Sequence, residues 1–192
     1  MKCVLHVGCG SYSIEKLHPL FRSADWREVR LDIDPSVGPD LIASIADMQP
    51  VASMSVDAIW SSHNLEHLFS HDILPALREF KRVLKPDGFV LITLPDIEAV
   101  AKEIVAGKML EPLYQAPAGP ISALDILYGY RPAIQRGNHF MAHHTGFTAQ
   151  TLGNAFVDAG FPQVMVTRGK CYDLWAKAYV TSREDPDRSG LI

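Results

Sequence analysis

Five short apolar runs in the first half of the chain each end on a residue that can do chemistry, and this regularity constrains the fold more than any other feature. Cys3-Val4-Leu5-His6-Val7 runs into Gly8-Cys9-Gly10. Residues 28–33 alternate and stop at Asp34-Pro35, and residues 41–45 end at Ala46-Asp47-Met48. Val56-Asp57-Ala58-Ile59-Trp60 leads into Ser61 and a histidine-rich stretch, and residues 89–94 are cut by Pro95-Asp96. Runs of this length and bulk read as buried strands. Between them the period changes. A short helical stretch is expected over 13–21. From Ile73, apolar residues recur at Leu74, Leu77, Phe80 and Leu84, with Pro75 in the first turn where its missing N–H costs little. Lys85-Pro86-Asp87-Gly88 stops that helix and turns the chain, 97–106 reads as the next helix, and 148–159 as a later one. Residues 164–167 and 172–180 resemble two strands joined at Arg168-Gly169-Lys170.

Strands alternating with helices require parallel β-α-β units. The predicted class is therefore α/β: a Rossmann-like doubly wound sheet, mostly parallel, with one antiparallel strand near the C-terminus. A chain of 192 residues fits one such domain, read as 1–181, with 182–192 as a loose tail. Residues 107–147 interrupt the pattern, broken by Pro112, Pro117, Pro120 and Pro132 and rich in Gly, Tyr and His. So long an irregular segment serves binding, closure or assembly, and it is expected as a lid, an acceptor-side wall or a homodimer interface. Within it, Ser122-Ala123-Leu124-Asp125 has the pattern to cap a short helix running toward Tyr128.

The formal net charge is −4, and the main basic run, 78–85, reads as the wet face of a helix, so no surface recommends a nucleic-acid partner. Three unpaired-looking cysteines, Cys3, Cys9 and Cys171, form neither a disulfide framework nor a metal knuckle and imply a reducing, cytoplasmic setting. No run has the length of a membrane span, and the N-terminal one is too short for a signal peptide.

Ligands of open parallel sheets bind outside the carboxyl ends of the strands, and the suspicious residues all fall there. Gly8 and Gly10 allow a backbone to approach a ligand where a Cβ would clash. Asp32, roughly twenty residues on, is placed to accept both hydroxyls of a ribose. The plainer alternative is a tight turn and a solvated acid. A dinucleotide would call for a third glycine where Ser13 stands, which disfavours a nicotinamide-dependent oxidoreductase.

These residues resemble the class I S-adenosylmethionine-dependent methyltransferases. Val4-Leu5-His6-Val7-Gly8-Cys9-Gly10 is similar to their first motif, and Leu31-Asp32-Ile33-Asp34-Pro35 to the acidic end of their second strand. Ala46-Asp47-Met48 resembles the acid-plus-apolar pair that meets adenine. Residues 61–68 and the Arg82-Val83-Leu84-Lys85-Pro86-Asp87-Gly88 turn resemble later segments, as do Gly146-Phe147-Thr148 and Ala159-Gly160-Phe161. The resemblance implies S-adenosylmethionine as cofactor, contacted by Gly8, Gly10, Asp32, Ile33, Asp47, Met48, Ser62 and His63, and methyl transfer to a small-molecule or sugar acceptor. An inactive methyltransferase-like binding subunit is the alternative.

One motif points elsewhere. His63-Asn64-Leu65-Glu66-His67 matches H-x-x-E-H, an inverted zinc-peptidase pattern that on a helix would put both histidines on one face. Its place after a buried strand of a nucleoside-binding sheet argues for a chance match, and no metal is expected. If the acceptor is a hydroxyl, a base must take its proton. His67, His139 and His143 are the expected candidates, with His144 nearby and Tyr128 and Tyr130 as orienting groups. The spacing of His139 and His143 also suits a metal, although solvated loop histidines explain it better.

Overall fold

The computed structural model describes residues 1–191. Strands β1 (Lys2–Val7), β2 (Trp26–Asp32), β3 (Leu41–Ile42), β4 (Val56–Ser62) and β5 (Leu84–Pro95) lie parallel to one another. A separate hairpin follows, β6 (Pro112–Ala116) and β7 (Gly119–Ser122), and the main sheet is completed by β8 (Gln163–Arg168) and β9 (Asp173–Tyr179). The seven-stranded order is β3-β2-β1-β4-β5-β9-β8, and β9 is antiparallel to both its neighbours. That is the expected α/β arrangement with a single reversed strand.

Helices α1 (Ile73–Val83), α2 (Ile97–Val105), α3 (Ala123–Tyr128), α4 (Arg131–Gln135) and α5 (Ala149–Asp158) complete the regular structure. The 3.6 period of α1 puts Ile73, Ala76, Leu77, Phe80 and Val83 on one buried face, and with Leu152 and Phe156 of α5 they cover one side of the sheet. Truncating Phe80, which is fully buried, would cost about 3–5 kcal/mol. Asp96 caps α2 by accepting from the N–H groups of Glu98 and Ala99 at 3.0 and 3.3 Å.

The other side of the sheet departs from expectation. Residues 13–21 form turns and one 3-10 turn, Pro19–Phe21, in place of a helix. Pro19 has no N–H to return to Glu15, and the carbonyls of Lys16 and Leu17 are taken by side chains, Trp60 Nε1 at 2.8 Å and Arg22 Nε at 2.7 Å. Leu17 and Phe21 still bury against Val4, Trp60 and Leu91. The C-terminal residues, expected as a loose tail, close this face. Lys177, fully buried on β9, donates to Asp187 Oδ2 at 3.0 Å and to Ser189 O at 2.9 Å, and Leu191 is buried.

Two further corrections concern the strand ends. The turn expected at 85–88 is absorbed into extended β5, where Leu84 already pairs with Val56. Strand β3 stops at Ile42 because the chain folds back at Ser44, whose Oγ accepts from Ala46 N and whose backbone bridges Asp47.

The segment 107–147 is more ordered than its prolines suggest. It contains β6, β7, α3, α4 and a 3-10 turn at His139–Met141. Ser122 and Asp125 form the expected capping box at the start of α3. Val100 of α2 packs with Ile121, Ala123 and Ile126 in a small core of its own. The excursion leaves and rejoins the sheet at one place: Asp96 and Phe147 form a parallel bridge, and Ile97 N donates to Phe147 O at 2.9 Å.

Candidate active site

The carboxyl ends of β1, β2, β3 and β4 open onto a cavity of about 420 Å3, within the range of a nucleoside-sized ligand. Gly8 and Gly10 adopt φ of +61° and +58°. A Cβ on Gly8 would lie 2.4 Å from Asn64 Cγ, so the sharp turn needs glycine for space as well as for conformation. Asp32, largely buried at the end of β2, accepts from Gly10 N at 2.8 Å and from Asp34 N at 3.0 Å. Two backbone donors orient the carboxylate and leave it lone pairs for further donors. Between the glycines, burial pushes the Cys9 thiol up to about 11, which makes it an inert packing group.

Of the expected cofactor residues, Gly8, Gly10, Asp32, Ile33 and His63 line this cavity. Ser62 lines a second cavity of about 450 Å3 behind the glycine loop, beside Trp60, His18 and Trp175, and the two cavities share Gly8, Gly10 and Met141. Asp47 and Met48 are a correction. The fold-back at Ser44 leaves Asp47 exposed and buries Met48 in the core, where its N–H donates to Glu79 at 2.7 Å and its carbonyl accepts from Arg82 at 3.0 Å. Ala43, Ser44 and Ile45 take that side of the cavity instead.

The histidines separate by place. His139 lines the cavity, is exposed, and its ring has no hydrogen-bond partner among the described residues. His144 also lines it, stacked on Phe69 with centroids 4.2 Å apart. His67 lines it too, but Nδ1 faces Ala142 O at 3.0 Å and Nε2 faces His63 O at 3.1 Å. His143 lies outside the cavity lining, with Nδ1 on Ile126 O at 2.8 Å, and burial holds its ring below the ordinary imidazole range. The structure thus does not bring this expected base to the cavity lining. Tyr128 and Tyr130 are likewise outside the lining, and Tyr130 Oη donates to Ala118 O at 2.6 Å.

The H-x-x-E-H stretch is not one helix. His63 sits before the 3-10 turn Leu65–His67 in a left-handed conformation, φ +48°. Glu66 is 1% exposed, with Oε1 3.3 Å from His63 Nδ1. Burial opposes both charges, but each group more than offsets it for the other, so the imidazole is raised and the carboxyl lowered from their ordinary values. Glu66, His67 and His143 come together, each offering a ligand atom within 4.8 Å of the others. Sequence spacing carried no sign of that grouping, because His143 arrives from the far end of the insertion.

A glycine turn tied to an acid on the neighbouring strand, at the carboxyl end of a mostly parallel sheet with one reversed strand, is where open α/β folds bind nucleosides. A family model described as a methyltransferase domain matches residues 5–92. The match covers a little under half of the chain, and over it the chain is similar to a methyltransferase domain, while the fold is that of S-adenosylmethionine-dependent methyltransferases. No curated protein sequence matches it significantly. Among solved structures, the CMeT domain of the citrinin polyketide synthase superposes with a TM-score of 0.61 at 16% identity, covering 95% of this chain and 47% of that one. This chain thus spans about half the length of that neighbour. A SAM-dependent methyltransferase from Methanosarcina mazei gives 0.59 at 16% identity, with 93% and 92% coverage. One from Archaeoglobus fulgidus gives 0.57 at 14%, with 92% and 85%. No helix among the described residues is long and apolar enough to cross a membrane.

The residues present fit the cofactor. Asp32 retains acceptor capacity for ribose hydroxyls, exposed Ile33 and buried Ile45 offer apolar surface beside it, and the Asn64 amide nitrogen, buried at the glycine loop, has no partner among the described residues.

Proposed function

We propose that the chain methylates a small polar acceptor, a hydroxylated small molecule or a sugar, held against the 138–144 segment. The observation that carries this reading is that Asn138, His139, Phe140 and Met141 line the same cavity as Gly10 and Asp32. The bound cofactor supplies a methyl group already activated on its sulfonium, so the protein contributes mainly alignment and exclusion of water. Asp32 would accept from the ribose, Ile33, Ser44 and Ile45 would flank the base, and the glycine loop with the Asn64 amide would receive the amino-acid end. His63 closes the β4 side of the cavity. Phe140, 57% exposed, offers the acceptor a face to stack on. His139 would take the proton of an acceptor hydroxyl as the new C–O bond forms and the methyl C–S bond breaks to release the thioether, a contribution of about 10²–10⁴ in rate.

The test uses the full chain and a panel of hydroxylated small molecules and sugars, scored by release of S-adenosylhomocysteine. His139→Ala should lower turnover of any acceptor found by about 10²–10⁴, while calorimetric affinity for S-adenosylhomocysteine changes by no more than about 0.5 kcal/mol. Unchanged turnover removes His139 from the acceptor site. Lost cofactor affinity with otherwise native folding would place the segment on the cofactor instead.

A further inference from the structure

We propose that Glu66, His67 and His143 form a site for a divalent transition-metal ion of the zinc class, which clasps the end of the insertion to the end of β4. The three residues come from two separate parts of the chain, and one ligand atom from each lies within 4.8 Å of the others. Ligands at about 2.0–2.1 Å from a tetrahedral ion sit closer than that to one another, so side-chain adjustments of about an ångström complete the set.

Glu66 supplies the strongest reason. It is 1% exposed, and neither carboxylate oxygen has a hydrogen-bond partner among the described residues. A charged group so deeply buried must be compensated, and a cation does so directly. His63 Nδ1 approaches only one of the two oxygens, at 3.3 Å, which leaves the other free for an ion.

The imidazoles point the same way. His143 is held by Nδ1 on Ile126 O at 2.8 Å, the backbone contact that commonly orients a metal-binding ring and leaves Nε2 to ligate. His67 has carbonyl oxygens against both nitrogens, at 3.0 and 3.1 Å. A neutral ring can donate to only one of them, so the other nitrogen turns a lone pair on an oxygen. An ion inserted there converts a repulsive contact into a bond. Two imidazoles and a carboxylate suit zinc, cobalt or nickel, whereas magnesium and calcium prefer oxygen donors throughout.

The clasp has a place to act. The insertion is already stitched to the same residue, since His144 N and Thr145 N both donate to Glu66 O, at 2.9 and 3.2 Å. Three protein ligands leave a position open for water or substrate, and His67 is itself part of the cavity wall. The H-x-x-E-H stretch thus contributes Glu66 and His67, and His143 supplies the third ligand.

The experiment titrates the chelator-stripped full-length protein with cobalt(II) and follows visible absorption, with elemental analysis after zinc reconstitution. The expected result is equimolar uptake by wild type and by His71→Ala, an exposed histidine outside the cluster. Affinity should fall by more than about 10–100-fold in His143→Ala, since that is the cost of losing even an outer-shell partner. Wild type that stays folded and takes up no metal overturns the proposal, and so does His143→Ala binding as tightly as wild type. Should His143→Ala not fold, His143→Cys is decisive. A cobalt–thiolate charge-transfer band supports the site, and bound cobalt without that band, or no bound cobalt, overturns it.

Discussion

Gly10 donates its backbone N–H to Asp32 Oδ2 at 2.8 Å, a bond that joins the turn after β1 to the end of β2. The Gly10 carbonyl is taken in turn by the Arg30 guanidinium, so both backbone polar groups of Gly10 are fixed by side chains of the second strand. One carboxylate therefore shapes the glycine loop and, on the proposed function, also accepts from the ribose. Asp32→Ala should weaken S-adenosylhomocysteine binding by about 10-fold or more, because hydrogen bonds to a charged group contribute about 1.5–3 kcal/mol. Calorimetry on the folded variant checks it, and unchanged affinity would move the ribose contact to Asp34.

Two glycines with nearly the same backbone conformation separate strain from space. Gly38, φ +63°, has nothing within 4 Å of where a side-chain methyl would lie, so Gly38→Ala should cost only the left-handed strain of about 1–2 kcal/mol. Gly8, φ +61°, would drive a methyl into Asn64, so Gly8→Ala should lose more stability and also cofactor affinity. Urea denaturation of both variants, with cofactor binding measured alongside, tests the difference. Equal losses would mean that the Asn64 contact is easily relieved.

The fold-back at Ser44 makes a prediction against the motif reading. Asp47→Ala should leave S-adenosylhomocysteine affinity within about 0.5 kcal/mol, as for a surface change. Ser44→Tyr, which places a ring in the cavity, should abolish measurable binding while the protein remains folded. A large loss from Asp47→Ala would restore the assignment that the structure moves.

Acid should loosen the C-terminal closure. Asp187 is held at about 2 by Ser189 and by Lys177, below its ordinary value of 3.8. A depressed carboxyl contributes stability above its unfolded value, and that contribution disappears as pH falls through the folded one. The stability gap between wild type and Asp187→Asn should therefore be full at neutral pH and shrink from about pH 4 toward 2. Burial lowers the Lys177 ammonium although Asp187 partly counters it, so Lys177→Met should recover stability in the Asp187→Asn background. Thermal melts across this pH range measure both effects. A gap that is constant with pH would dissociate Asp187 from the closure.

What the sequence disclosed follows the strength of its periodic signals. The apolar runs of β1, β4 and β5 and the repeat of α1 were unmistakable, and Ser122 announced α3 through a local rule that needs no tertiary context. Strand β3 has two residues, too few for any alternation to set a register, and Asp47 and Met48 were expected at the cavity wall that Ala43, Ser44 and Ile45 form. Pro112 and Pro120 suggested irregular chain, yet both sit in a two-stranded hairpin, where edge positions tolerate a missing donor. Residues 13–21 had apolar side chains to bury, which is why a helix was expected. Pro19 and the competition of Trp60 and Arg22 for their carbonyls decided otherwise. The meeting of His143 with Glu66 depends on how the whole insertion folds, which no local pattern encodes.

The bridge between Asp96 and Phe147 has an implication for how such enzymes diversify. An excursion whose two ends meet at a single neck can be exchanged for one of another length or sequence without moving a strand of the sheet. On the proposed function, the sheet that holds the cofactor and the 107–147 segment that faces the acceptor are thus separable heritable modules. A chimera that imports a foreign segment at this neck would inherit a new acceptor preference together with an old cofactor site.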